Sequence, residues 1–363
     1  MSKNFYCLGM MSGTSMDGID GSIIYSNGID NFEVIENFYC KYDNIFNNKL
    51  SDIRNKIVNL KDLKYHENEL NKLEREITIL HAEFANKILK NSNNEIDLIG
   101  FHGHTIYHNP EEKISKQLGD GRLLSQLLKK KIAYNFREND INNNGNGAPL
   151  APIYHSAIAK KIKKNNVVFL NIGGISNETF IDEKYKFSAK DLGPGNCLLD
   201  SWIRQKTKNK YDKDGLVARS GKVNKILLDQ SLDIYFNNEI NNKRSYDIND
   251  FDISTFRGLT VEDGAATIIE YTIEIIANKI SSKNIIACGG GRKNKYFVER
   301  LENKINQKII NIDDFKIDGD FVESQAFAYL AIRSLLNLDI SFPSTTGCNN
   351  DTTGGTIIWL LKK

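Results

Sequence analysis

Residues 9–20 read Gly9-Met10-Met11-Ser12-Gly13-Thr14-Ser15-Met16-Asp17-Gly18-Ile19-Asp20. The apolar run before them, Phe5-Tyr6-Cys7-Leu8, predicts a buried strand, and Gly21-Ser22-Ile23-Ile24-Tyr25 after them predicts a second. Gly13 and Gly18 stand where a side chain would hold a ligand off the main chain. Asp17-Gly18 between two apolar runs is a hairpin-turn signal. Ser12, Thr14 and Ser15 offer hydroxyls, and the N–H groups of such a turn can form an anion nest. This is phosphate-binding chemistry carried on a β-hairpin. It is not the helix-opening phosphate loop, because no lysine follows the glycines. An ordinary glycine-rich turn would use the same residue types.

Phe32 to Cys40 predicts a third strand, so the chain opens as an antiparallel meander. From about Asp62 to Leu89, Leu70, Leu73, Ile77, Leu80, Phe84 and Ile88 recur at three- and four-residue steps, one apolar face of a long helix. Ile96 to Phe101 returns to a strand that delivers His102-Gly103-His104-Thr105 at its end. Two histidines at i and i+2 on a strand point to one side. Metal ligation with His108 as a third ligand, a structural role, and sugar or phosphate contact all remain open for them. Gly145-Asn146-Gly147-Ala148-Pro149-Leu150 is a loop running into a helix from Ile153 to Ile162. Val167 to Ile172 is a buried strand ending in Gly173-Gly174, with β character resuming at Glu178. Asp191 stands just ahead of a tight Gly193-Pro194-Gly195 turn. Ile285 to Cys288 is a short strand, and Gly289-Gly290-Gly291 turns from it toward a helix that Asn294 can cap. Those three glycines would let a flat adenine or ribose approach the main chain.

At 363 residues, two domains are expected. Forty-eight Lys and Arg against 46 Asp and Glu leave +2, which supplies no general attraction for nucleic acid or a membrane surface. No apolar run approaches the roughly 20 residues of a membrane span, and the N-terminus has no secretion-signal pattern. Five scattered cysteines without a C-x-x-C fit reduced thiols in a cytoplasmic enzyme. The oligomeric state is left open, a homodimer included.

The string from Gly9 to Asp20 resembles the N-terminal signature of the anhydro-N-acetylmuramic acid kinases, members of the actin/Hsp70/sugar-kinase superfamily. Further motifs follow in the family's order. His102-Gly103-His104-Thr105 is similar to S-H-G-Q-T, with His104 in place of Gln. Asn135-Phe136-Arg137 through Asp140 is similar to D-F-R-x-x-D, with Asn135 in place of the acid. Asn171-Ile172-Gly173-Gly174-Ile175-Ser176-Asn177 resembles N-I-G-G-I-A-N. Asp191-Leu192-Gly193-Pro194-Gly195-Asn196 resembles D-T-G-P-G-N, with Leu192 replacing Thr.

The resemblance implies an α/β, two-domain actin-like ATPase (ribonuclease H-like) fold around a central cleft. Domain I would comprise 1–162 and 336–363, and domain II 163–335. ATP and Mg²⁺ would be bound, the nucleotide by Gly13, Thr14, Ser15, Met16, Asp17, Gly18, Ile19 and Asp20 from one hairpin and by Gly173 and Gly174 from another. Gly289, Gly290, Gly291 and Asn294 would form the adenosine motif. Asp191 would be the catalytic base, with His102, Arg137 and Glu323 at the sugar end. The guanidinium fork of Arg137 suits a carboxylate or phosphate. Asp17 is the metal-ligand candidate, since Mg²⁺ keeps several waters and needs only one or two carboxylates. The implied reaction opens 1,6-anhydro-N-acetylmuramic acid with water and phosphorylates its O6, in cell-wall sugar recycling. Two other readings stay open: a kinase of the same fold for another sugar or a carboxylate, and a non-enzymatic ATP-binding switch.

Overall fold

The computed structural model describes residues 3–13, 16–237, 246–282 and 284–360. Its contacts divide the chain into two units, Met1–Lys161 with Phe321–Lys363, and Ile162–Asp320.

In the first unit, β1 (Phe5–Ser12), β2 (Gly18–Ser26) and β3 (Phe32–Lys41) form the expected antiparallel meander. Three helices follow: α1 (Asn44–Lys56), α2 (Leu60–Tyr65) and α3 (Glu67–Asn91). Leu70, Leu73, Ile77, Phe84 and Ile88 are buried along α3, as their spacing requires. The helix expected to begin at Asp62 is broken, because a capping box from Asn59 to Asp62 starts a separate helix and His66, at ψ 16°, leaves helical geometry. Next come β4 (Leu98–Asn109), β5 (Ile114–Leu118), α4 (Gly121–Leu128), β6 (Lys131–Tyr134), α5 (Glu138–Asn142) and α6 (Pro152–Lys161). β4 lies parallel to β1 and to β6.

The second unit repeats this topology. β7 (Val167–Ile172), β8 (Ile175–Ile181) and β9 (Phe187–Pro194) form a second meander. After α7 (Cys197–Lys206), α8 (Leu216–Ser220), α9 (Lys225–Asn237) and α10 (Val261–Lys279) comes β10 (Ile285–Cys288), parallel to β7. Then α11 (Lys295–Ile305) leads to β11 (Ile310–Asn311), parallel to β10. Each sheet therefore carries a meander whose first strand is joined by two parallel strands, the ribonuclease H-like order that two-domain actin-like ATPases use twice. Glycine turns mark the two halves in the sequence, but the repeat itself is topological.

The division differs from the expected one at its second break. α12 (Val322–Leu335), expected in the second half, packs on β1, β2 and β4 and belongs to the first unit. Its small residues make this possible. A Cβ on Gly9 would collide with Ser324 O, and one on Gly100 with Phe327 O, so the helix lies against bare sheet backbone. Ser22 Oγ meets Ser324 Oγ at 2.7 Å, and Tyr154 donates to Gln325 Oε1 at 2.9 Å. β12 (Asp339–Ser341) and β13 (Thr352–Thr353) form a ribbon, and β14 (Thr356–Ile358) extends the first sheet beyond β6. Among the described residues, no helix is long and apolar enough to cross a membrane.

Candidate functional site

In the first unit the hairpin turn is longer than Asp17-Gly18 suggested. β1 ends at Ser12, Gly18 already belongs to β2, and Met16 between them is left-handed at φ 57°. Thr14 and Ser15, two of the proposed nucleotide contacts, lie outside the described residues. Met16 donates its N–H to Gly13 O at 3.0 Å and packs its side chain on the core, and Ile19 is buried in that core. The Ser12 hydroxyl is withdrawn from phosphate duty. It is 2% exposed, accepts from Tyr42 at 3.0 Å and bonds His104 Nδ1 at 3.3 Å. What the hairpin does present is charge. Burial, then Asp17 and Asp20, push the Tyr39 hydroxyl up to about 12, so both carboxylates act on one point at the hairpin's end. Two acids there suit a hydrated Mg²⁺. Among the described residues, no group of three or more His, Cys, Asp or Glu could hold a metal.

The two histidines of β4 do not share a face. Pairing runs Met10 to Phe101 and then Ser12 to His104, so β4 carries one extra residue there. Gly103, at φ 72°, absorbs it. His102 consequently packs against Phe327 of α12, with ring centroids 4.4 Å apart, while His104 faces Ser12 and the core on the opposite side. This separation removes the basis for metal ligation by the pair.

Both nitrogens of His102 are engaged inside the protein. Nδ1 lies 3.0 Å from Gly103 O and must carry the proton, since a carbonyl can only accept. Nε2 then accepts from Arg137 Nε at 3.2 Å and Nη2 at 3.0 Å. Burial first, then the Arg137 charge, hold the imidazole well below its ordinary pKa, so it stays neutral. His102 thus orients Arg137, and its ring nitrogens are not available to a sugar. Arg137 Nη1 donates to Gly147 O at 2.7 Å. Among the described residues three of its five N–H groups are used, which leaves one on each terminal nitrogen. Partial burial lowers its pKa to about 10, opposed by Glu323 and Asp140, and it remains a cation at neutral pH. Solvent reaches Glu323, yet crowding by protein raises its pKa while Arg137 pulls it down. Asp140, 1% exposed, fixes the surrounding loop by accepting from Gly147 N and Thr346 Oγ1, each at 2.6 Å.

In the second unit the Gly173-Gly174 turn is pinned to the start of α7. Gly195 N and Cys197 N donate to Gly174 O at 2.9 and 3.1 Å, and Asn196 N donates to Gly173 O at 2.8 Å. The N-terminus of α7 is therefore spent on the turn. A trans peptide points its N–H opposite to its C=O, so the Gly174 N–H is turned away from the helix. It is one donor this turn could offer an anion. In the glycine triplet, a Cβ on Gly289 would strike Asn171 Oδ1 and one on Gly291 would strike Ile172, whereas Gly290 meets nothing within 4 Å. Gly290 is the position open to a flat ligand, and its neighbours are glycines to fit β7. Asn294 caps α11 as expected, accepting from Phe297 N at 3.0 Å.

Asp191 sits within β9, three residues before its end, not on the turn that follows. It is half-buried, and Oδ2 accepts from Tyr246 N at 2.9 Å. Two neighbours, Tyr246 and Lys279, were not visible in the sequence. Lys279 at the end of α10 donates to Tyr235 Oη at 2.7 Å and Tyr246 Oη at 2.8 Å. Burial, and secondarily Lys190, bring its pKa down to about 8, opposed by Asp191. Asp200, one turn into α7, is pushed up to about 6, chiefly by burial with Asp212 adding and Arg204 opposing.

The family model for anhydro-N-acetylmuramic acid kinase matches residues 5–359. A protein of that name from Pelagibacter ubique (strain HTCC1062) is 49% identical over 373 residues, with 99% of both chains covered. One from Brucella canis is 36% identical, covering 96% of this chain and 97% of its own. Another, from Zymomonas mobilis, is 35% identical over 97% of this chain and 99% of its own.

Proposed function

The chain belongs to the anhydro-N-acetylmuramic acid kinase family, and on that premise we propose that it opens the bridge of 1,6-anhydro-N-acetylmuramic acid and phosphorylates O6 with ATP. The products are N-acetylmuramic acid 6-phosphate and ADP, in recycling of cell-wall sugar. Asp191 takes a proton from water as that water bonds to C1. The C1–O6 bond breaks, and O6 attacks the γ-phosphorus as ADP leaves. General-base help of this kind contributes about 10²- to 10⁴-fold, and phosphoryl transfer needs mainly positioning and neutralised charge.

The observation that carries this reading is the Arg137 fork. Its two uncommitted N–H groups, held in one plane by His102 and Gly147 O, match the two oxygens of a carboxylate. The lactyl group of N-acetylmuramic acid supplies one, and an ordinary hexose does not. Gly174 N–H and Gly290 are assigned to the nucleotide. Mg²⁺, held through water near Asp17 and Asp20, would supply neutralisation of the phosphate charge.

The test is ADP release with 1,6-anhydro-N-acetylmuramic acid against a panel of hexoses. Release with the anhydro sugar alone is expected. Release with a hexose instead would favour a different sugar kinase, and no stimulation by any sugar would favour an ATP-binding switch.

A further inference from the structure

The Asp191 carboxylate is held from an unexpected direction. One partner is the main chain of Tyr246, 55 residues away in sequence. Tyr246 is itself held by its phenol, which accepts from Lys279 Nζ and lies 3.2 Å from Tyr235 Oη. The ammonium also sits over both rings, 5.0 Å from the Tyr235 centroid and 5.1 Å from that of Tyr246. One lysine thus clamps two aromatic side chains, and one of those residues holds the carboxylate.

We propose that Lys279 is a positioning residue for Asp191, acting through Tyr246 to fix the carboxylate's rotation and supplying a nearby positive charge that favours its ionised form. This deepens the proposed reaction and rests on Asp191 being its base. The contacts fit the task. Among the described residues, the charges acting on this cluster include Asp191 and Lys190 of β9, and Asp250 beside Tyr246. Lys190 is balanced by Glu178 of β8 at 3.5 Å. Tyr271 of α10 faces Tyr235 of α9. Among the described residues, Lys279 is a cation that acts on both Asp191 and Tyr246.

The test measures kcat, both KM values and the pH profile of kcat in the full chain. Lys279→Met is expected to lower kcat about tenfold through misplacement. Loss of the charge is expected to raise the acid limb by about half a pH unit, with KM for ATP little changed. Lys279→Arg should restore most of both. Tyr246→Phe, which keeps the ring and removes one oxygen of the clamp, should shift the limb less and in the same direction. A merely structural lysine would lower thermal stability without moving the limb. If Asp191→Asn is inactive while Lys279→Met keeps the parent kcat and limb, the proposal is overturned and the base assignment stands. If Asp191→Asn turns over normally, the base assignment fails and the proposal with it.

Discussion

In the proposed reaction Arg137 holds an anion and Asp191 is the base, and single substitutions should separate the two roles. Hydrogen bonds to a charged group are each worth about 1.5–3 kcal/mol, so Arg137→Met should raise KM for the anhydro sugar roughly 10- to 100-fold with KM for ATP unchanged. Arg137→Lys should recover only part, because an ammonium cannot present the fork. An equal rise in both KM values would remove Arg137 from the sugar. Asp191→Asn should cut kcat by about 10²- to 10⁴-fold while ATP still binds by calorimetry. Retained turnover would exclude it as base. His102 adds a detail that residue-level reading does not supply: Nδ1 bonds Gly103 O and Nε2 orients Arg137.

At the scale of the element, the triplet 289–291 makes a sharp contrast testable. Gly291→Ala drives a methyl into Ile172, and overpacking of this kind costs about 1–3 kcal/mol. A thermal melt should show it as a lowered Tm. Gly290→Ala meets open space, so its Tm should stay near the parent while nucleotide affinity falls. A parent-like Kd for ATP in Gly290→Ala would mean that the turn does not approach the nucleotide. The hairpins make a related point. Strand-turn-strand patterns were legible because period-two apolar runs and glycines are local signals. The edge of the first turn is not a local signal: Asp17-Gly18 suits a turn or its border, and only the pairing of Gly18 with Lys41 puts Gly18 inside β2.

For the whole molecule, the five histidines with lowered pKa all lie in the first unit. Burial is the first cause for each. His81, His108 and His155 fall to about 4, His104 to about 3, and His102 well below its ordinary value. An unfolded imidazole binds a proton near pH 6.5, while these refuse it until far lower pH. Between the two values the unfolded state holds more protons, so stability falls as pH drops, by up to about 1.4 kcal/mol per pH unit for each imidazole. The second unit contains no histidine. Its Asp200, raised to about 6, acts oppositely, because the folded state holds the extra proton and acid through pH 6 to 4 favours it. Hydrogen exchange at pH 7 and pH 5 should show amides of the first unit losing protection before those of the second. Simultaneous loss, or loss in the second unit first, would contradict the assignment.

The sequence by itself determined the two glycine-turn hairpins, the cap at Asn294, the apolar face of α3 and the family. Each of these is written in residues close together along the chain, where spacing and backbone preference act. Only the tertiary structure decided that Gly103 turns His104 away from His102, that Ser12 faces inward, that α12 packs on the first sheet, and that Lys279 reaches Asp191 through Tyr246. Those outcomes depend on strand register and on contacts between distant residues, as between Ser22 and Ser324, 302 positions apart. A one-residue bulge or a helix end is enough to redirect a side chain without altering the local pattern that encodes it.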